Sequence, residues 1–421
     1  MYENYEFRRV PVEFYKNISS IFILMRSKMI RKHNTKLTDL ITFVFSMEMM
    51  FLFFNGLQFF NFGRYYIFAI IIVVLGFIYF FREKSLNGRY LFILFPIIFS
   101  MFSIIALSKP YTLDYFFAVI LFCTHSYVLL QIKFEQYQRR IIENAFIMSA
   151  VLMSVILLIQ RGEPYIDIHE VRFALYYSKD GFYDVNFTAA YFYFPACICV
   201  LRGLERKEIR YYLAYIIIVC AIFATGSRGT ILPIMAITVF LLLKAKSPII
   251  FVIIPLGIIG LLFFLPEEIF ERLFVTSYIG NNTRRLSFWG YGLKLIFNNL
   301  LWGDGIRASK QAVIEMFNVE RVTVHNTYIV WLSSMGVIGG LPFLIYMFLP
   351  AIKCILKQKL SILLIISGFL FCMLMIEGNF SFVCLIPLNC IYMLCDDWCS
   401  VSLPRRRKTV TYQLKKAEGR N

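Results

Sequence analysis

Arg228 lies in Ala224-Thr225-Gly226-Ser227-Arg228-Gly229-Thr230, at the join of two strongly apolar segments. A guanidinium is a planar fork of donors that matches the oxygens of a phosphate or pyrophosphate. The flanking glycines allow a tight reversal or close approach by a ligand. His325 lies in Val324-His325-Asn326-Thr327-Tyr328, where a polar loop ends and an apolar segment begins. A helix start disfavours the imidazolium, so a histidine there can accept a proton from a sugar hydroxyl. Arg284 and Arg285 open an amphipathic stretch; arginines at a helix start gain nothing from the dipole, which points to another anionic partner. Asp184-Val185-Asn186 stands where another apolar segment begins, suited to capping, to binding sugar hydroxyls or to a second base. Each residue has a plainer reading: Arg228 snorkelling to an interface, Arg284 and Arg285 holding bulk lipid headgroups, His325 and Asp184 capping helices.

These residues hang on a chain that cannot be an ordinary soluble domain. Of its 421 residues, 59% are hydrophobic, and the mean hydropathy is +0.68. About twelve apolar runs approach the roughly 20 residues that a helical span needs. They fall near 39–60, 65–81, 90–108, 112–132, 141–160, 185–201, 211–226, 229–243, 248–265, 325–349, 360–376 and 380–395. The expected architecture is an all-α polytopic membrane protein. A basic N-tail covers 1–38, a single transmembrane domain 39–396 and a basic C-tail 397–421. No cleavage signal precedes the first span, which is expected to stay.

With twelve spans, 30 of the 43 Lys and Arg fall on the side that holds both tails. The positive-inside rule makes that side the cytoplasm. This topological role accounts for the net charge of +17 and argues against nucleic acid as a partner. Binding of anionic lipid by the tails would come along with it. Two loops on the outer side are long, near 161–184 and 267–324. Long ordered loops are usually functional. Within the second, Leu286, Trp289, Leu293 and Ile296–Phe297 have helical spacing, which predicts an amphipathic helix on the outer membrane surface.

None of the ten cysteines lies in the long outer loops, so no disulfide framework is expected. Cys395 and Cys399 bracket Asp396-Asp397 and read as small apolar filler rather than a metal site. Asp167, His169 and Glu170 lack metal-site spacing. Glu48 and His125 fall inside spans with no partner evident from the sequence. Walker A, Gly-rich dinucleotide and Asp-x-Asp patterns are absent, which argues against a nucleotide-sugar donor. A flippase of lipid-linked sugars would more often show repeated halves and charges deep within the spans.

From about Asp184 to Pro342 the chain resembles the O-antigen ligase/polymerase superfamily of bacterial polytopic glycosyltransferases. The marks are Asp184-Val185-Asn186, Thr225-Gly226-Ser227-Arg228-Gly229, Arg285 with Trp289, Gly303-Asp304-Gly305, and His325-Asn326 followed by Gly336-x-x-Gly339. The resemblance implies a GT-C-like enzyme of the bacterial inner membrane. It would use undecaprenyl-diphosphate-linked glycans as donor and acceptor, with no nucleotide, cofactor or metal, and a chain-length regulator protein as a partner. Arg228 and Arg285, with Arg284, would hold the diphosphate, and His325 would serve the acceptor hydroxyl. Asp184, Asn186, Asn326 and Asp304 would meet the sugars. Asp-Val-Asn departs from the Asp-Pro-Asn of the family pattern. A polymerase is expected over a ligase acting on lipid A core, since the Phe, Tyr, Ile, Lys and Asn content suggests a strain-variable polysaccharide locus.

Overall fold

The computed structural model describes residues 36–52, 66–83, 88–99, 113–160, 173–178, 181–182, 184–246, 279–305, 316, 324–377 and 381–400. The helices are α1 (36–51), α2 (Tyr66–Glu83), α3 (Leu113–Gln131), α4 (Gln136–Ile159), α5 (Val185–Arg206), α6 (Ile209–Ala224), α7 (Arg228–Ala245), α8 (Ile279–Asn298), α9 (Thr327–Leu356), α10 (Leu360–Leu374) and α11 (Phe382–Ser400). A 3-10 segment, Gly88–Leu94, runs into a short helix at 95–99. The only strands among the described residues are β1 (Tyr176–Ser178) and β2 (Gly181–Phe182), an antiparallel hairpin before α5.

Helices α4, α5, α7 and α9 are long and apolar enough to cross a membrane, and shorter apolar helices stand beside them at Tyr90–Phe99, Phe116–Gln131, Ile209–Ala224 and Leu360–Leu374. Twelve spans are therefore not established. The run expected near 248–265 lies outside the described residues, as do Asp167, His169, Glu170 and most of the loop expected at 161–184. Helix α11 continues through Asp397 to Ser400 and buries Trp398.

Helix α5 is the hub. Its spanning window is 94% buried, against 44–50% for α4, α7 and α9. Those three keep an outward face that is itself apolar, with Met148, Leu232, Leu243, Ile345 and Ile352 exposed. Apolar exposure on this scale would drive aggregation in water and is the ordinary state in lipid. The protein is a multi-pass helical membrane protein. In such an interior each buried polar group needs an internal partner. Tyr191 meets Ser149 at 2.7 Å, the Tyr193 hydroxyl donates to the Ile365 carbonyl at 2.9 Å, and Tyr215 meets Thr238 at 2.8 Å. Glu48 and His125 prove to be each other's partners: Oε2 lies 2.9 Å from Nε2, both side chains fully buried.

One end of the bundle is tied by charge. Arg202 grips buried Glu143 with Nε and Nη2, both at 2.7 Å, and Trp398 Nε1 donates to the same carboxylate at 3.0 Å. Arg139 pairs with Asp397, and Lys353 and Lys357 both reach Asp396. Lys244 donates to Ser361. These basic residues all belong to the loops that the charge pattern assigns to one side. Lys207, Lys246 and Gln358 take left-handed backbone at φ 57, 49 and 53, where helices α5, α7 and α9 stop. A left-handed residue closes a helix C-terminus, and a lysine there also meets the negative end of the dipole.

Candidate functional site

At the opposite end, α6 reverses into α7 within three residues. Gly226 adopts φ 61, and its amide donates to the Phe223 carbonyl at 2.8 Å. The Thr225 hydroxyl turns back onto the Ile222 carbonyl at 2.6 Å. Ser227 is the N-cap residue, so Arg228 is the first residue of α7, half-buried at the positive end of its dipole. The amide of Phe173, just before the hairpin, donates to the Ala224 carbonyl at 3.0 Å and holds that segment against this turn.

The end of α10 bridges this turn to α9. Cys372 Sγ lies 3.5 Å from the Gly229 carbonyl, and a Cβ at Gly229 would come within 2.9 Å of Met375. One residue on, the Ile376 carbonyl accepts from the Thr327 hydroxyl at 2.8 Å, while Tyr328 donates to the Leu370 carbonyl at 2.7 Å. Arg228 and His325 each adjoin one of these contacts, although about a hundred residues separate them. Asn326, not His325, caps α9: its Oδ1 accepts from the amides of Tyr328 and Ile329, both at 3.1 Å. His325 stands one residue before the cap, half-buried, with left-handed φ 49. Asn326 is buried in this capping role. Half-buried Glu377 follows directly on the bridge. Sequence reasoning missed it; the available signal was a lone carboxylate in Met375-Ile376-Glu377-Gly378, at the join of two apolar runs.

Helix α8 adds Arg285. It packs against the first turns of α9 through Phe288, Gly292 and Ile296, with Val324, Ile329 and Val330 opposite. It is therefore not only a surface helix: one apolar row is buried on α9, while Leu286, Leu293 and Phe297 stay exposed. Gly292 lies against Val324, and Leu300 and Leu301 bond to Val337 and Ile338, so α8 runs parallel to α9. Arg285 is seven residues before Gly292, about 10 Å beyond it along α8 and so past the level of Val324. Trp289, between them, has an indole N–H that finds no acceptor among the described residues. The Arg284 side chain lies outside the described residues.

Asp304 sits elsewhere. Gly336 breaks α9 with φ 62 and ψ −168. The turn after α8 fills the break: the Asp304 and Gly305 amides donate to the carbonyls of Ser333 and Ser334 at 2.8 and 2.9 Å, and the Val337 amide donates to the Leu300 carbonyl at 2.8 Å. A broken helix at membrane depth is tolerated where other protein groups satisfy the freed backbone. Asn299 steadies the turn with bonds to the Gly303 carbonyl and to Asp304 Oδ1. Ser333 is eight residues past His325, so Asp304 lies about 12 Å along α9 from the histidine. Gly336 was expected to let helices approach; it does so by breaking its own helix.

Asp184 is exposed and caps α5, accepting from the Asn186 and Phe187 amides at 2.7 and 3.2 Å. The half-buried Asn186 is in the first turn of that helix. The fold thus gathers Arg228, His325 and Glu377 around the end of α10, with Arg285 on the adjoining helix. It puts Asp304 at the break in α9. A guanidinium, an imidazole and a carboxylate at one end of an apolar bundle suit an amphiphilic substrate with an anionic head.

No curated relative matches the chain. A family model described as O-Antigen ligase matches residues 213–344, from α6 to just past the break in α9. That segment contains Arg228, Arg285, Asp304, His325 and Gly336, and leaves Asp184 and Glu377 outside it. Over that segment, about a third of its length, the chain is similar to the O-antigen ligase family.

Proposed function

We propose that the protein is a glycosyltransferase that polymerises undecaprenyl-diphosphate-linked oligosaccharide repeat units into surface polysaccharide. The single observation that carries this reading is the bridge from Gly229 through Cys372, Met375 and Ile376 to Thr327, which brings Arg228 to the His325 end of α9. Arg228 and Arg285 hold the diphosphate. His325 takes the proton of the acceptor hydroxyl as its oxygen attacks the anomeric carbon. The bond to the diphosphate breaks, and the leaving group departs on its lipid with its charge met by guanidinium groups rather than by a metal. Attack opposite the leaving group inverts the anomeric carbon. The donor would be met on the outer face of the inner membrane, with both chain termini in the cytoplasm. The Trp289 indole N–H is a donor available to a sugar hydroxyl.

A ligase reading is favoured by the description of the matching family. Both are tested with purified protein reconstituted with a lipid-linked repeat unit. A polymerase makes a ladder of lengths from that substrate alone. A ligase makes a single larger product and only when lipid A core is supplied. Absence of product with either acceptor would discard the glycosyl-transfer reading.

A further inference from the structure

Cys354, Cys395 and Cys399 converge at the end of the bundle opposite Arg228. Their sulfurs lie 3.5 Å (Cys354 to Cys395), 3.9 Å (Cys354 to Cys399) and 3.9 Å (Cys395 to Cys399) apart, and all three residues are buried. They are the one such group of metal-ligating side chains among the described residues. We propose that these three cysteines form a binding site for a thiophilic closed-shell metal ion, Zn²⁺ or Cu⁺.

The spacing is that of ligands rather than of packed apolar filler. Sulfurs 2.3 Å from a tetrahedral zinc are about 3.8 Å from one another, and in a trigonal site about 4.0 Å. The observed triangle meets those edges with little movement. The ligands are also held in place: Cys395 and Cys399 are one turn apart on α11, and Cys354 faces them from α9. Lys353 and Lys357 flank Cys354 and both bind Asp396, at 2.7 and 2.6 Å, so an ion-pair strip clamps the two helices beside the sulfurs. On binding, three S–H bonds break, three metal–sulfur bonds form, and three protons leave to solvent. The resulting complex is anionic, and the ammonium groups of Lys353 and Lys357, beside Cys354 on α9, bring compensating positive charge. Asp396, Lys353 and Lys357 are exposed, so this end is open to ions from the adjoining solvent. The ion would lock the last turns of broken α9 to α11, away from the glycosyl-transfer groups.

The test uses full-length protein in detergent under reducing conditions, with Zn²⁺ and Cu⁺ as separate probes. The expected result is one tightly held equivalent of at least one ion per chain and a rise in Tm on loading. Single Cys→Ala substitutions at 354, 395 or 399 should weaken retention by more than the about 10- to 100-fold that an outer-shell loss costs. The triple variant should hold no ion and show no rise. Cys220→Ala, at a half-buried cysteine on α6, is the control and should bind like the parent. If neither ion binds above the triple variant, the site is wrong. If thiol counting finds Cys354 and Cys395 oxidised to a disulfide in protein isolated without reductant, a redox pair replaces the metal reading.

Discussion

The left-handed backbone of His325 decides how its chemistry should be tested. At φ 49 a residue with a Cβ is strained by about 1–2 kcal/mol unless, like Asn or His, it is locally tolerated. His325→Ala therefore mixes lost chemistry with backbone strain. His325→Asn keeps the backbone preference and a hydrogen bond but is no base. If His325 deprotonates the acceptor, the Asn variant should fold normally and lose about 10²–10⁴ in rate. Melting temperature and single-turnover kinetics measured together separate the two effects, and near-normal chain growth would leave the histidine only a positioning role. Arg228 calls for a different substitution. A lysine keeps the charge but loses the fork, so Arg228→Lys should fail nearly as badly as Arg228→Ala in donor binding. Polymer yield at matched membrane abundance is the readout, and full yield from the lysine variant would end the bidentate account.

The critical element is the break in α9. A Cβ at Gly336 would overlap the Leu301 carbonyl oxygen, and one at Gly303 would lie 2.5 Å from the Gly336 amide nitrogen. Both glycines have positive φ, at 62 and 65. Gly336→Ala thus combines backbone strain with a clash against backbone that cannot swing away. It should cost well above the about 1–2 kcal/mol of the left-handed conformation alone. Gly290 provides the contrast. It lies in α8 with nothing within 4 Å of an added Cβ, so Gly290→Ala should be neutral or stabilise by about 0.5–1 kcal/mol. Thermal melts of the purified variants check both, and equal effects would mean that the break is not held by Gly336.

For the whole molecule, the opposing ends have different jobs. The end with Arg202, Glu143, Trp398 and the Lys353–Asp396–Lys357 strip is tied by paired charge. The other gathers polar groups around the tip of α10. Arg202→Ala would leave Glu143 buried with only the Trp398 donor, at a cost of about 3–5 kcal/mol. Replacing Arg202 and Glu143 together with Met and Leu removes the stranded charge and should recover most of the loss. If the double variant melts no higher than the single one, the pair is not the source of the stability.

What the chain determined alone was local. Long apolar runs demanded helices in lipid, because no water is there to satisfy a free backbone. Gly226 and Gly229 marked the reversal that makes Arg228 the first residue of α7, and basic residues marked a common end. What needed the tertiary structure was every long-range pairing: Glu48 with His125, Gly229 with Met375, Gly336 with Leu301, Cys354 with Cys395. An all-apolar helix does not announce its inner face, since lipid and core are equally apolar and association rests on packing alone. On α8 the row read from the sequence mixes Leu286, Leu293 and Phe297, which stay exposed, with Ile296, which is buried against α9. Glu377 had no neighbour in sequence to flag it. The contacts of Gly229 with Met375 and of Thr327 with Ile376 bring it to the end where Arg228 and His325 stand.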